Sequence, residues 1–308
     1  MADIVISEFM DEEVIAKAFA GRDVLYDPGL VDQADALRKA VADARALLVR
    51  NRTQVRGGLL AAARRLQVVG RLGVGLDNID LDGCTARGIK VCPATGANDD
   101  AVAEYVITAA LILLRGAWHA QAEVTAGDWP RMALVGHEIG GKTMGLVGYG
   151  AIAREVAHRA KALGMNVTAA DPYLAMDDPR WNEVHRLPLK ALIASADVLS
   201  LHVPLTKDTR HIIDADAIRL MKPGAVLINA ARGGVVDERA LAAALKSGHL
   251  GGVALDVFET EPLTAQAGSA FAGIKNLLLT PHIAGVTHES NTRVSQVTAE
   301  NVLKVLEA

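Results

Sequence analysis

Short runs of β-branched and aliphatic residues alternate along the chain with longer Ala-rich stretches in which apolar positions recur at helical spacing. The first pattern predicts strands at 3–7, 46–49, 67–70, 143–147, 166–170, 198–202, 225–229, 252–255 and 277–280. The second predicts helices at 11–19, 31–41, 151–163 and 238–246, a long one at 101–115 and a last one at about 289–306. Such alternation argues for βαβ units and mostly parallel sheets. No long Pro/Gly/Ser linker, internal repeat or low-complexity tract divides the chain, so boundaries must come from motifs. The two long helices sit where the chain would pass between two α/β lobes. The expected layout is a discontinuous substrate-binding lobe, 1–97 plus 285–308, into which a dinucleotide-binding lobe, 98–284, is inserted. Both lobes are expected to be Rossmann-like, with doubly wound parallel sheets.

Composition narrows the class. With 51% hydrophobic against 22% charged residues over 308 positions, the chain is globular and of about two-domain length. A formal charge of −4 leaves no basic surplus for nucleic acid or an anionic membrane. Cys84 and Cys92 fit neither a CxxC nor a zinc spacing, so they read as small core residues, with no disulfide and no metal expected. The N-terminus lacks a basic region followed by a long apolar one, and the longest apolar run, 105–114, is about half of what spans a bilayer. The expectation is a soluble, cytoplasmic protein.

The run MGLVGYGAIAREVAHRAKALG (144–164) reads as strand, tight turn and helix around a GxGxxA core. Gly148 permits the turn, Gly150 lets the backbone approach a pyrophosphate, and small Ala153 lets helix and strand pack closely. The helix N-terminus beyond them offers free N–H groups and a positive dipole end to phosphates. The next strand ends at Asp171, where a carboxylate would bind both ribose hydroxyls of an adenosine. A 2′-phosphate would meet that carboxylate as a like charge, which favours NAD over NADP.

Three later segments each leave a strand with one reactive residue: INAARGGVVDE (228–238), ALDVFETEPL (254–263) and LTPHIAGVTHES (279–290). Beyond the carboxyl ends of strands these loops can converge on one crevice. With GRLGVGLDNID (70–80) and HVPLT (202–206), they make the chain resemble, almost end to end, the D-isomer-specific 2-hydroxyacid dehydrogenases in the branch of 3-phosphoglycerate dehydrogenase. The resemblance implies that Arg232 holds the substrate carboxylate and keto oxygen, that His282 is the general acid/base, and that Glu261 hydrogen-bonds His282. It implies that Asp256 binds the nicotinamide carboxamide. Ala151, Ile152, Val203, Ala230, Ala231, Arg232, His282, Ala284 and Gly285 would line the cofactor, and the Gly73-Val74-Gly75 turn would offer N–H groups to the substrate carboxylate. The chemistry asks for the same residue types. An imidazole titrates near working pH, a neighbouring carboxylate fixes its tautomer, and a guanidinium fork binds two carboxylate oxygens at once. His202 and His288 are the rivals for the base and read as structural. In Asn98-Asp99-Asp100-Ala101 the resemblance departs from its pattern, with Ala where the family often has Ser, which leaves Asn98 a weak site residue.

The substrate tail is less legible. If 50–52 is extended, Arg50 and Arg52 share parity and project to one side, which suits a second anion at C3. Arg71 and Arg131 are further possibilities. VISEFMDE (5–12), LVRNRT (48–53), VGRLGVGLDNID (69–80) and TPHIAGVTHESN (280–291) are similar to the branch that oxidises (S)-3-sulfolactate to 3-sulfopyruvate. The alternatives are 3-phosphoglycerate, malate and hydroxypyruvate or glyoxylate. A different class, NAD(H)-sensing corepressors, shares the fold and the three reactive residues. The apolar face of 101–114 suggests a homodimer, with a tetramer open.

Overall fold

The computed structural model describes residues 2–308. The chain forms two compact units, one of residues up to 98 together with 286–308, the other of 99–285. The first holds five strands: β1 (Ile4–Ile6), β2 (Val24–Tyr26), β3 (Ala46–Val49), β4 (Val68–Arg71) and β5 (Lys90–Pro93). They lie in the order β2-β1-β3-β4-β5, every pair parallel. The second holds seven: β6 (Thr143–Val147), β7 (Asn166–Ala170), β8 (His185–Arg186), β9 (Val198–Leu201), β10 (Val226–Asn229), β11 (Gly252–Leu255) and β12 (Leu277–Leu279). Their order is β12-β11-β10-β9-β6-β7-β8, again parallel throughout.

Each sheet is covered on both faces, and the pleat shows how. In β10, Val226 and Ile228 join the core made with the helices Asp99–Arg115 and Ala151–Ala162. Leu227, between them, joins the opposite core, made with Leu189–Ser195, Ala215–Leu220 and Glu238–Lys246. Successive side chains point to opposite faces, so an apolar strand of this kind needs helices on both sides. In the first unit Ile4, Ile6 and Leu48 pack toward the C-terminal helix His288–Leu306, and Val5, Leu47 and Val49 toward the other side. This is the expected α/β architecture of two doubly wound parallel sheets.

Parallel order also decides where chemistry can sit. The carboxyl ends of β12, β11, β10, β9 and β6 are neighbours on one edge of the second sheet. The chain leaves β6 to one side for β7 and returns on the other at β9, so the loops after β6 and β9 flank the point where ligands of open α/β sheets bind.

Candidate active site

The glycine-rich turn follows β6. Gly148 has φ +87°, and a Cβ there would stand 2.6 Å from the His202 carbonyl oxygen, so neither the turn nor its approach to the loop after β9 tolerates a side chain. Gly150 is the N-cap of Ala151–Ala162, and nothing lies within 4 Å of where its Cβ would be. That open space beside the helix N-terminus fits a pyrophosphate. Ala153 is fully buried where helix meets sheet. Asp171 Oδ2 accepts the Tyr149 N–H at 2.9 Å and Oδ1 the Tyr173 N–H at 2.9 Å, which fixes the carboxylate beside the turn. Ala151 is exposed, while Ile152, Val203, Ala230 and Ala231 are half-buried at the ends of β6, β9 and β10. The residues present therefore fit a dinucleotide.

His202 is not placed to do acid–base work. Its Nε2 lies 3.0 Å from Ser200 Oγ, and burial pushes the imidazole down to about 4, so it is neutral at physiological pH. His288 begins the C-terminal helix of the first unit.

The loops after β10, β11 and β12 are fastened to one another. After β10, the buried Asn229 accepts the Ala231 N–H at 3.1 Å and donates to the Arg232 carbonyl at 2.9 Å, which shapes the ARGG turn. A Cβ on Gly233 would lie 1.8 Å from the Phe258 carbonyl oxygen, so that turn is pressed against the loop after β11. In that loop the Phe258 N–H donates to Glu261 Oε1 at 3.0 Å, and Glu261 Oε2 stands 2.8 Å from His282 Nδ1. Burial alone would raise the Glu261 carboxyl. The hydrogen bonds from His282 and Phe258 and the charges of His282 and Arg232 outweigh it and hold the group below the ordinary carboxylate range. Arg232, Glu261 and His282 thus share one electrostatic neighbourhood.

His282 itself has φ +58°, an uncommon conformation for a residue with a β-carbon. Asp256 holds it there. The Asp256 carbonyl accepts the His282 N–H at 2.8 Å, while its carboxylate accepts Thr280 Oγ1 at 2.6 Å and the N–H groups of Ile283 and Ala284 at 2.8 Å each. Thr280 Oγ1 lies 2.7 Å from the Tyr105 hydroxyl, on the long helix. With Asp256 only 1% exposed, what this carboxylate does within the protein is organise the TPHIAG loop. The Ala284 N–H is spent on that bond, and Gly285 follows it, half-buried.

In the first unit the expectation from parity does not hold. β3 ends at Val49, and residues 51–53 bend instead of extending, because their backbone turns to the buried carboxylate of Glu8. Glu8 accepts the N–H groups of Arg50 at 2.8 Å, Arg52 at 3.2 Å and Thr53 at 3.0 Å. The two guanidinium groups consequently go to different partners. Arg50 Nη2 donates to Asn291 Oδ1 at 2.7 Å, and its guanidinium lies over the Phe9 ring at 5.2 Å from the centroid. Arg52 is exposed and ion-paired with Asp32. Arg71 is also accounted for, donating to the carbonyls of Leu72 and Gly75 at 2.6 and 2.8 Å and so bracing the Gly73-Val74-Gly75 turn. The Gly73 N–H turns back on the Arg71 carbonyl at 2.8 Å, whereas Val74 is exposed and Gly75 half-exposed. Arg131 is exposed on a turn. Asn98 Oδ1 and Arg50 Nε are buried without a hydrogen-bond partner among the described residues.

Glu8, Asn229 and Asn291 are the contributors that sequence reading passes over. Only Asn229 carried a signal, the residue before a reactive turn; Glu8 and Asn291 meet the Arg50 segment from 42 and 241 residues away. Among the described residues no cluster of three His, Cys, Asp or Glu could hold a metal.

The chain is similar to known proteins over most of its length. Residues 107–284 match the model described as D-isomer specific 2-hydroxyacid dehydrogenase, NAD binding domain. The chain is 55% identical over 307 residues to (S)-sulfolactate dehydrogenase of Chromohalobacter salexigens, covering 99% of each. It is 40% identical to D-3-phosphoglycerate dehydrogenase of Archaeoglobus fulgidus over 84% of this chain, but spans only 49% of that longer protein. Among solved structures it superposes on D-lactate dehydrogenase of Aquifex aeolicus, complexed with NAD and lactic acid, with a TM-score of 0.85, 28% identity and coverage of 99% and 95%.

Proposed function

Because this chain belongs to the D-isomer specific 2-hydroxyacid dehydrogenases, which use NAD, we propose that it oxidises (S)-3-sulfolactate to 3-sulfopyruvate. The observation that carries the chemistry is the 2.8 Å pair of His282 and Glu261 with Arg232 in the same field. Its support for the substrate is the full-length likeness to a sulfolactate enzyme.

Oxidising a 2-hydroxy acid removes a hydroxyl proton while hydride leaves C2. NAD, when bound, supplies the acceptor for that hydride. Gly150, the N-terminus of Ala151–Ala162 and Asp171 would hold it. His282 takes the hydroxyl proton on Nε2, because Nδ1 is committed to Glu261. Glu261 keeps the proton on Nδ1 beforehand and stabilises the imidazolium afterwards. Arg232 forks onto the carboxylate and the developing keto oxygen. Asp256 orders the loop that presents His282, and a lone pair left on Oδ2 can accept the nicotinamide carboxamide. By the family resemblance, the Gly73-Val74-Gly75 turn would offer N–H groups to the substrate carboxylate. Arg50 meets the sulfonate, a tail of one negative charge, with a single half-buried guanidinium and an Nε that has no internal partner. Arg52, spent on Asp32, takes no part.

The same reading makes the protein a homodimer in the cytoplasm, drawing on the intracellular NAD pool. The apolar face of the long helix is used within its own unit, since Val106, Ala110 and Leu113 are buried. Trp118, Trp129 and Met132, in the segment that follows, are 70, 79 and 82% exposed and form the surface offered to a second copy.

The test is NADH formation from NAD⁺ with both enantiomers of 3-sulfolactate, 3-phosphoglycerate, malate, glycerate and lactate. (S)-sulfolactate is expected to have the highest kcat/KM. Arg50→Ala is expected to depress sulfolactate turnover while sparing glycerate and lactate. A preference for another acid would overturn the substrate, and equal losses on all acids would overturn the role of Arg50.

A further inference from the structure

We propose that Arg180 is a second, latent determinant of coenzyme choice: a cation beside the adenosine end of the dinucleotide that Asp178 holds out of use, so that Asp171 and Asp178 together keep the chain on NAD. The inference rests on the reading of Asp171 as the ribose ligand and adds a residue pair to it.

A run of contacts links Arg180 to the glycine-rich turn. The Tyr149 N–H, in the glycine-rich turn, holds the Asp171 carboxylate at 2.9 Å. The Tyr149 ring is fully buried and stacks on Trp181, with centroids 5.5 Å apart and planes 14° from parallel. Arg180, the residue before Trp181, is thereby tied to the turn that carries the coenzyme. Its fork is already filled, Nε donating to Asp178 Oδ1 at 2.8 Å and Nη2 to Oδ2 at 2.5 Å. Asp178 Oδ1 also accepts the Arg180 N–H at 3.0 Å, so the side chain folds back on its own turn. The guanidinium is held above its ordinary range by the bonds to Asp178 first, then by the charges of Asp178 and Asp171. The charge of Asp171 thus acts on Arg180 in the same direction as that of Asp178.

A 2′-phosphate needs free guanidinium donors at this end of the coenzyme. Here it would meet one carboxylate at the ribose and a cation spent on another. Removing the charge of Asp171 alone relieves the repulsion but leaves Arg180 bound. Asp178→Asn keeps the oxygen that caps the Arg180 N–H and loses the charge that anchors the guanidinium.

The experiment measures dissociation constants of NADH and NADPH by fluorescence titration of the full chain in four forms: unaltered, D171S, D171S/D178N and D171S/D178N/R180A. D171S is expected to weaken NADH at least tenfold. Adding D178N is expected to tighten NADPH at least tenfold over D171S alone, and adding R180A to abolish that gain. D178S also keeps a capping oxygen and carries the same expectation, should D178N lower the Tm. Absence of the gain, or its survival in the R180A form, would overturn the role of Arg180 while leaving Asp171 as the ribose ligand. Unchanged NADH binding in D171S would remove both.

Discussion

His282 sits in a left-handed backbone conformation and still points Nδ1 at Glu261. Strain of this kind persists only where the surroundings over-determine it, and Asp256 supplies that constraint through its carbonyl and three bonds to its carboxylate. His282→Ala is expected to lower kcat by about a hundred- to ten-thousand-fold while leaving NADH binding intact. Glu261→Gln, which keeps the shape and loses the charge, is expected to lower kcat less than His282→Ala and leave KM nearly unchanged. Steady-state kinetics with coenzyme titration check both. His202 makes a separate prediction in pH. The folded protein holds it down at about 4. An unfolded chain takes up that proton near the ordinary value of about 6.5. Between those values the unfolded state binds more protons, so stability falls as pH drops from 7 to 4, by about 3 kcal/mol from this one group. Urea melts of the protein and of His202→Gln across that range should show a flatter dependence in the variant.

Among the elements, the second sheet was almost fully legible. The expected strands at 143–147, 166–170 and 252–255 coincide with β6, β7 and β11, because strands covered on both faces are apolar runs with clear turn residues at their ends. β2, β5 and β8 were missed. They are partly exposed edge strands, at three of the four sheet edges, and β8 has only two residues. The expected helix at 31–41 is two pieces, a 3₁₀ turn at Pro28–Asp32 and the helix Ala34–Ala40, meeting at Gln33. At the candidate site the meeting of Arg232, Glu261 and His282 was legible because each follows a strand in a recognisable loop. Their supports were not, because Glu8 reaches a loop whose bend no local spacing records. Asn229 belongs to the same class of support. Asn229→Ala removes both bonds that shape the ARGG turn, at a cost of about 1–3 kcal/mol. It is expected to raise KM for the hydroxy acid and lower kcat, while the NADH dissociation constant moves little. A matching loss of NADH binding would show that the residue supports the coenzyme side of the turn instead.

For the molecule as a whole, the exposed residues Trp118, Trp129 and Met132 predict a protein of two 32.4 kDa chains at sedimentation equilibrium. Replacing Trp129 and Met132 with Glu and Lys is expected to shift that equilibrium toward the single chain without lowering the far-UV helical signal. A dimer unaffected by the change would place the contact elsewhere.

The first unit is sewn from both ends of the chain. Its C-terminal helix seats so closely on β4 that a Cβ on Gly70 would lie 2.6 Å from Val302 and 2.9 Å from Thr298. Val294, Ala299, Val302 and Leu306 complete a core whose other half is Ile4, Ile6, Leu48 and Val68. On the ribosome those strands emerge before the second unit, yet the helix that covers them is translated only after every residue of that unit. Until then their apolar face is covered only in part, by Met10, Val14 and Phe19, and the rest is open to chaperones or to neighbouring nascent chains. A stalled transcript, or a premature stop shortly before position 288, would therefore release a chain whose second unit is complete while its first unit, though nearly all synthesised, lacks the helix that closes it.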